Sequence, residues 1–336
     1  MNRRTFATAS LAALLTPAAS ALQAQQTAPG LPGYQIAEIK DGRLTSGYGG
    51  AATPQTAVNE GTLFQVASCS KTVNALAVMT LVRDGRVALD RPANQYLRRW
   101  QLPGPRGADA TVAELMSHTA GTTVDGFAGY GPSEKLPDLM DILAGRTPAN
   151  SAAIRTRRRI LGGFSYSGGG TTVLQAMIED VTGTDFAAYT RAEVLNPVGA
   201  PRATFQIEPS AAFAHGSYGN GQPVPGGFKR HPESAAAGLW ATASDLAKVL
   251  QSVMRSLGGG PDALLPAELA QRMITPVSWG SGLGVFVQPG AIISHDGRNH
   301  GFDAVMAAEL GTGIVRAAVT NRNGAIEGFS ERVTSR

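Results

Sequence analysis

Ser68 and Lys71 are the residues of this 336-residue sequence whose types and spacing best suit covalent chemistry. On a helix, residues i and i+3 share a face, so the Lys71 side chain would reach the Ser68 hydroxyl. A serine hydroxyl needs a base to become a nucleophile, and a lysine serves as one when burial and positive neighbours lower its pKa. A helix N-terminus at Ser68 would also favour developing negative charge. Ser-x-x-Lys by itself equally fits an ordinary helix cap, so the surrounding sequence has to decide.

The sequence around this pair predicts the helix that must position it. Residues 64–67 form a short extended entry, and Ser68 opens a helix that is mostly apolar over residues 73–82. Asp84 and Gly85 close it, with Gly85 as the left-handed cap.

The rest of the chain predicts strands near both ends and helices between them. Residues 34–50 indicate a strand or hairpin, and residues 86–145 indicate helices and loops with a capping box at Thr111 and Glu114. Further helices are predicted after the glycines at 168–170 and after Thr242. Near the C-terminus, short runs separated by glycine predict antiparallel strands at 279–287, 291–295, 304–309 and 314–320, followed by a helix at 325–333. The fold class is therefore α+β: an antiparallel sheet flanked by helices plus a helical lobe, with an active site in the cleft between them.

The N-terminus predicts an export signal. Arg3 and Arg4 precede a short apolar run, and Ala19-Ser20-Ala21 fits a cleavage site. The paired arginines favour the twin-arginine route over the ordinary secretory one, and the run is too short to span a bilayer. We expect a signal peptide at 1–21, a flexible leader at 22–33 and one catalytic domain at 34–336, with the helical lobe at about 86–235. The protein would be periplasmic or secreted.

Composition excludes several classes of protein. With 43% hydrophobic and 16% charged residues, the chain has enough apolar side chains for a large core. Its net charge of +4 is scattered, and no nucleic-acid motif is present. Cys69 is the single cysteine, so no intramolecular disulfide forms. Neither a histidine pair nor a cysteine cluster has metal-ligand spacing, so we expect no metal and no cofactor.

Six segments, in order, resemble the class C β-lactamase and penicillin-binding-protein-like superfamily, which includes family VIII esterases and D,D-peptidases. The resemblance covers about residues 35–325 and implies a β-lactamase/transpeptidase-like fold. The nucleophile segment is Ser68-Cys69-Ser70-Lys71, and the tyrosine loop is Ser165-Tyr166-Ser167-Gly168. The remaining segments are 83–90, Leu115-Met116-Ser117-His118-Thr119-Ala120-Gly121, 237–246, and the third motif His295-Asp296-Gly297 with its strand at 293–302.

The resemblance implies a role for each of three residues. Ser68 would be the acylated nucleophile, and Lys71 would ease its deprotonation. Tyr166 would act as the general base or share that role, and would relay a proton to the leaving group. A tyrosine has an unperturbed pKa of about 10, so two adjacent positive groups would be needed to make it a useful base.

The third motif would line the same cleft. His295 and Gly297 would lie on the edge strand facing the nucleophile, where a glycine lets substrate approach the backbone. The backbone N–H groups of Ser68 and Arg298 would form the oxyanion hole. His295 stands where relatives often have lysine, and it would be a weaker anchor for a carboxylate because it is often neutral at pH about 7.

Gly168 stands where relatives usually have an asparagine that contacts the acyl-side amide of β-lactams and peptides. We place Gly168 among the substrate-binding positions, and its identity weighs against strong β-lactamase activity. His118 could be mistaken for a triad member, but the resemblance makes it structural. Residues expected to line the pocket are Trp240, Tyr130, Phe127, Phe228 and Phe302.

These observations favour a serine hydrolase that works through an acyl-enzyme on short-chain esters or small amides. The alternatives are a D,D-peptidase or D-aminopeptidase, and a weak β-lactamase. An inactive relative that binds cell-wall peptide or a protein partner belongs to another class, and intact Ser68, Lys71 and Tyr166 argue against it. A Cys69 thiol enzyme would lack a nearby imidazole in sequence. The expected partner is a small-molecule ester or amide, or cell-wall peptide, with no nucleic acid and no stable membrane span.

Overall fold

The computed structural model describes residues 32–158, 163–209 and 212–326. The strands are β1 (Tyr34–Lys40), β2 (Arg43–Gly49), β3 (Ala51–Thr53), β4 (Thr56–Ala57), β5 (Phe64–Gln65), β6 (Trp240–Ala241), β7 (Phe286–Gln288), β8 (Ile292–Asn299), β9 (Phe302–Glu309) and β10 (Val315–Thr320). The helices are α1 (Ser70–Arg83), α2 (Val112–Met116), α3 (Leu139–Ala144), α4 (Gly168–Thr182), α5 (Phe186–Thr190), α6 (Ser234–Ala237), α7 (Ala243–Leu257) and α8 (Ala267–Met273). The predicted signal peptide, most of the predicted leader and most of the predicted last helix lie outside these residues.

One antiparallel sheet joins the two ends of the described chain. Its strand order is β2-β1-β10-β9-β8-β7, and β1 pairs with β10 from Tyr34 opposite Thr320 onward. The end of the predicted leader is held against this sheet, because the Gly33 amide donates a hydrogen bond to Asn321 Oδ1 at 2.7 Å. The α+β arrangement expected from strands near both ends is confirmed.

Two helices start where the capping residues predict them. The Thr111 side chain accepts from the Glu114 amide at α2, and the Thr242 side chain accepts from the Asp245 amide at α7. In both cases the acidic side chain closes a capping box, which satisfies amides that a helix start leaves unpaired. Helix α7 packs on the sheet, burying the stripe Leu246, Val249, Leu250 and Val253.

Helix α1 runs through the middle of the molecule. Every residue from Ser70 to Leu81 is buried, and α4, α6 and α7 pack around it. A helix that is buried on all sides has no polar face, which explains why residues 73–82 lack an amphipathic pattern. No helix in the described ranges has the length and hydropathy needed to cross a bilayer.

Two local predictions differ from the structure. Ser68 lies in a 3₁₀ turn at Ala67–Cys69, and the α-helix proper begins two residues later. The predicted strand at 279–287 is reduced to β7, because Trp279 and Gly280 adopt φ angles of +50° and +72°. Positive φ is incompatible with an extended strand, so residues 277–281 form a turn instead.

Candidate active site

The side chains of Lys71 and Ser68 meet at the start of α1. Lys71 Nζ donates hydrogen bonds to Ser68 Oγ at 3.0 Å and to the Ala236 carbonyl at 2.8 Å. The lysine is only 4% exposed, and burial lowers its pKa to about 7, although Cys69 and Asp296 partly oppose this. Near neutral pH a large fraction of this amine is therefore uncharged and has a lone pair to accept a proton.

The turn that carries Ser68 is held by its neighbours. Ala67 has a φ of +47°, which is uncommon for a residue with a side chain. Ser70 Oγ donates to the Ala67 carbonyl at 2.5 Å and accepts from the Leu239 amide at 3.0 Å. Ser70 therefore stabilises the turn that carries the nucleophile. The Ser-x-x-Lys pattern does not reveal this role.

The Tyr166 side chain lies beside this pair. It is near enough to Ser68 for the serine side chain to act on its pKa, and Lys71 Nζ lies 5.1 Å from the centre of the tyrosine ring. Burial raises the pKa of Tyr166 above its ordinary value, and the nearby Ser68 side chain only partly opposes this. The phenol therefore stays protonated at neutral pH, whereas the Lys71 amine has the pKa of a base.

His118 packs beneath the tyrosine. Its Nδ1 accepts a hydrogen bond from the Ser167 amide at 3.2 Å, and its ring centre lies 4.4 Å from that of Tyr166. Burial, with Lys71 and His295 as positive neighbours, lowers the pKa of His118 to about 3. An uncharged imidazole that accepts at Nδ1 orients the Tyr166 loop.

His295 lies on β8, beside the nucleophile turn. The ladder between β7 and β8 ends at Ser294, so His295 follows the last paired residue of that ladder. It is 3% exposed, and its Nδ1 lies 2.7 Å from the Asp296 carbonyl. Burial, together with Lys71, lowers the pKa of His295 to about 4. At neutral pH the position therefore carries no positive charge for a substrate carboxylate.

Gly297 has a different neighbour from the one expected. A β-carbon here would lie 2.3 Å from the Val66 carbonyl oxygen and 2.8 Å from the Ser68 amide nitrogen. The expectation that substrate approaches the backbone through this space needs correction, because the nucleophile turn itself fills it. Gly297 is required so that β8 and the turn pack backbone against backbone.

Replacing Gly297 with alanine is expected to displace Ser68. Overpacking of this kind costs about 1–3 kcal/mol of unfolding free energy, and a shift of the Ser68 side chain should lower catalytic turnover by about 10²-fold. Gly311→Ala is the matched control, because a β-carbon at position 311 meets nothing within 4 Å. Thermal unfolding and kcat/KM would be measured for both variants. Unchanged activity in Gly297→Ala would contradict this account of the turn.

Arg298 directs its side chain away from the cleft. The guanidinium is paired with Asp303 of β9 at 2.9 Å, and the side chain is 61% exposed. The Ser68 amide lies against β8, next to Gly297. Participation of the Arg298 amide in an oxyanion hole stays a prediction.

Gly168 is the first residue of α4 and is buried. Its amide donates to the Asp125 carbonyl at 2.9 Å, and a β-carbon would lie 3.1 Å from the Phe127 ring. Phe127 thus covers the position where relatives carry an asparagine side chain. Contact with substrate at this position, assigned to Gly168 from the sequence, would have to come through the Phe127 ring.

Cys69 is turned away from the cleft. It is fully buried, and its Sγ donates to the His295 carbonyl at 3.6 Å. Burial raises the pKa of the Cys69 thiol well above its ordinary value, with Asp296 adding to the rise. A buried, protonated thiol is not a nucleophile for an external substrate, so the geometry opposes a thiol enzyme.

The aromatic side chains beside the site agree only in part with those expected. Phe127 and Phe228 are partly exposed, and Phe127 lies against Gly168. Three expected pocket residues, Trp240, Tyr130 and Phe302, are at most 1% exposed and belong to the core. Phe286 of β7 is instead partly exposed, and its ring centre lies 6.3 Å from Tyr166 and 5.4 Å from His295. The sequence placed Phe286 in a strand but gave no register that would bring it to the nucleophile.

The short helix α6 is a second feature that the sequence did not reveal. Its Ala236 carbonyl accepts the hydrogen bond from Lys71, and its Ala237 carbonyl accepts one from Asn299 Nδ2 of β8 at 3.1 Å. The Ala235 amide donates to Gln175 Oε1 of α4 at 3.0 Å. Helix α6 therefore connects Lys71 to strand β8 and helix α4 through hydrogen bonds.

Two buried ionisable groups lie at the start of α6. Glu233 is fully buried, and burial raises its pKa to about 7. The Tyr130 hydroxyl is near enough to oppose this rise, yet neither Glu233 oxygen has a hydrogen bond of normal geometry. His231 Nδ1 lies 3.9 Å from the carboxylate, and burial lowers the pKa of His231 to about 3. Glu233 is thus a second group, besides Lys71, that titrates near neutrality.

No cluster of three or more histidine, cysteine or acidic side chains in the described parts of the chain could hold a metal ion. Ser68, Lys71 and Tyr166 are the groups that the structure brings together at the start of α1.

Comparison with known proteins adds a family to this geometry. The sequence profile of the family described as Beta-lactamase matches residues 18–335. The chain is 28% identical to the Unguisins hydrolase ungD' of Aspergillus campestris, over 86% of this chain and 59% of that protein. It is 28% identical to Esterase EstB of Burkholderia gladioli, over 62% of each chain. The chain thus spans about three fifths of the length of these relatives.

A solved structure has the same fold. The D-amino acid amidase of Ochrobactrum anthropi, complexed with D-phenylalanine, superposes with a TM-score of 0.72 over 90% of this chain and 92% of the amidase. The two sequences are 21% identical, so the likeness concerns the fold alone.

Proposed function

This chain belongs to the Beta-lactamase family of serine hydrolases, and from that premise we propose that it is a carboxylesterase-like enzyme that forms an acyl-enzyme at Ser68. One observation carries the proposal. The amine of Lys71, with a pKa lowered to about 7, lies 3.0 Å from Ser68 Oγ, and the Tyr166 side chain lies near enough to Ser68 to be influenced by it. A base and a proton carrier thus converge on one nucleophile.

The acylation step follows from this arrangement. In its neutral form Lys71 keeps its N–H bond to the Ala236 carbonyl and accepts the Ser68 proton on its lone pair. Ser68 Oγ then bonds to the ester carbonyl carbon, and the carbonyl oxygen takes up negative charge between the Ser68 and Arg298 amides. As the bond to the alcohol oxygen breaks, Tyr166 passes a proton to that oxygen and recovers one from the Lys71 ammonium.

Deacylation uses the same groups in reverse. A water molecule gives a proton to the Tyr166–Lys71 pair and bonds to the acyl carbon. The bond from that carbon to Ser68 Oγ breaks, Oγ regains its proton, and the carboxylic acid leaves. No further co-reactant is needed.

The charge of the site favours neutral esters over peptides and β-lactams. Burial keeps His295 neutral at ordinary pH, so it offers no cation to a substrate carboxylate. Gly168 and Phe127 replace the amide side chain that would contact an acylamino group. The second candidate is a D-aminopeptidase or amidase, which the fold of the D-amino acid amidase supports. A D,D-peptidase, a weak β-lactamase and an inactive relative that binds cell-wall peptide or a protein partner are less consistent with this site.

A substrate panel tests the proposal. We expect kcat/KM for p-nitrophenyl acetate to exceed the values for a D-phenylalanine amide, a D-Ala-D-Ala peptide and a chromogenic cephalosporin by at least about tenfold each. A larger value for the amide would favour the second candidate. Turnover of the peptide or the cephalosporin above that of the ester would mean that the neutral His295 does not govern selectivity. Inertness toward all four would favour the binding-only relative.

A further inference from the structure

Trp279 is the most solvent-exposed large apolar side chain in the described residues. It is 80% exposed, and Val277 in the same turn is 55% exposed. Two exposed apolar side chains on one turn are a local cluster, and clustered apolar surface, unlike an isolated exposed residue, marks a binding surface.

The backbone at Trp279 is also strained. Its φ of +50° lies in the left-handed region, which glycine and asparagine adopt readily and bulky aromatic residues rarely do. A side chain that is four-fifths exposed gains little from packing, so core formation does not explain a tryptophan here. Strain of this kind collects at sites that hold ligands.

The turn is attached to the strand that reaches the nucleophile. Ser281 pairs with Phe286 of β7, and the Val287 amide donates to the Gly280 carbonyl at 2.6 Å. Trp279 is therefore joined, through the backbone of this turn, to the strand that carries Phe286. Three apolar side chains on this turn and strand, Phe286, Val277 and Trp279, define what we call the apolar strip.

Phe286 identifies which part of a substrate would meet this strip. Its ring is nearly parallel to that of Tyr166, with an interplanar angle of 21°, and Tyr166 is the group that protonates the leaving alcohol in the proposed function. The leaving group must lie beside the group that gives it a proton. The alcohol part of the ester therefore lies nearest to Phe286.

We propose that the strip binds the apolar alcohol portion of the substrate, so that the preferred substrates are uncharged esters of extended alkyl or aryl alcohols. This inference rests on the proposed function, because it uses the role of Tyr166 in leaving-group protonation. Apolar contact with Trp279 and Phe286 would compensate for the absence of a cation at His295.

Ethyl acetate and hexyl acetate test the inference, because both give the same acetyl-enzyme and their alcohols have similar acidity. We expect wild-type kcat/KM to be at least about tenfold higher for hexyl acetate. Trp279→Gly, which also relieves the backbone strain, should reduce this ratio about fivefold or more while leaving ethyl acetate within about twofold. Tyr48→Ala is the matched control, since Tyr48 is 46% exposed on β2, the opposite edge of the sheet. It should leave the ratio unchanged.

The outcomes separate the two proposals. If both proteins hydrolyse ethyl acetate and the ratio of kcat/KM for hexyl acetate to that for ethyl acetate is the same in wild type and Trp279→Gly, the inference is overturned. The esterase proposal would still stand. An effect of Trp279→Gly on p-nitrophenyl esters of longer acids, without one on the acetates, would overturn the assignment to the alcohol side. A change in oligomeric mass with no change in ratio would mean that Trp279 joins copies of the chain. Failure to hydrolyse any ester would remove the proposed function and this inference together.

Discussion

Ser68→Ala is expected to lower kcat/KM for p-nitrophenyl acetate by at least about two to three orders of magnitude. The physical reason is that Lys71 Nζ is hydrogen-bonded to Ser68 Oγ and Tyr166 lies beside the same side chain. Without the serine oxygen, neither group has a nucleophile to activate. Steady-state hydrolysis by the purified protein, corrected for spontaneous hydrolysis, measures the loss.

Cys69→Ala is the matched control for this prediction. Cys69 is adjacent in sequence but fully buried, and its thiol is directed at the His295 carbonyl. We expect it to retain most of the activity. Undiminished hydrolysis by Ser68→Ala, or an equal loss in Cys69→Ala, would show that the nucleophile is misassigned.

Lys71→Ala is expected to lower kcat/KM by about 10²- to 10⁴-fold, the usual contribution of a positioned base. The titration of Lys71 should also be visible in the dependence of the wild-type kcat/KM on pH. Because burial lowers the pKa of Lys71 to about 7 and the base must be unprotonated, activity should rise with pH to half its plateau near that value. The rise should be absent from the residual activity of Lys71→Ala.

The titrations of other ionisable groups near the site have to be distinguished from that of Lys71 in the pH profile. His118 and His295, with pKa values lowered to about 3 and about 4, are already neutral there. Glu233 is the competitor, since burial raises its pKa to about 7. Glu233→Gln should keep the rise near pH 7, because the base is unchanged. Loss of the rise in Glu233→Gln, with its persistence in Lys71→Ala, would assign the titration to Glu233 instead.

The fold was predictable because its signals are local and ordered along the chain. Capping residues at Thr111 and Thr242 mark helix starts, and glycine-separated apolar runs mark β8, β9 and β10. The order of the motifs then implied the sheet and the helical lobe. Convergence of Ser68, Lys71 and Tyr166 followed from the same resemblance, with Lys71 one helical turn beyond the nucleophile.

The features of the site that the sequence does not predict depend on contacts between segments that are distant along the chain. The sequence predicts that Gly297 is open to substrate, because no sequence pattern indicates that residues 66–68 pack against it. The bond from Lys71 to the Ala236 carbonyl spans 165 positions and uses a backbone atom, which side-chain identity cannot reveal. Phe286 reaches the site through the register of β7 on β8, and registers are set by the whole sheet. The neutral state of His295 follows from its burial, which is a property of the folded chain.

The most direct test of the central claim is to locate the acyl group on the enzyme. The protein would be mixed with p-nitrophenyl acetate, quenched in acid during turnover, and examined by mass spectrometry intact and after proteolysis. We predict one acetyl group, on Ser68, that is absent from Ser68→Ala. When Lys71→Ala is acylated with a more reactive ester, its acetyl group should persist longer than in the wild type, because removal of the acyl group also uses Lys71. An acetyl group on Cys69, Tyr166 or Lys71 that turns over at the rate of hydrolysis, with Ser68 unmodified, would contradict it.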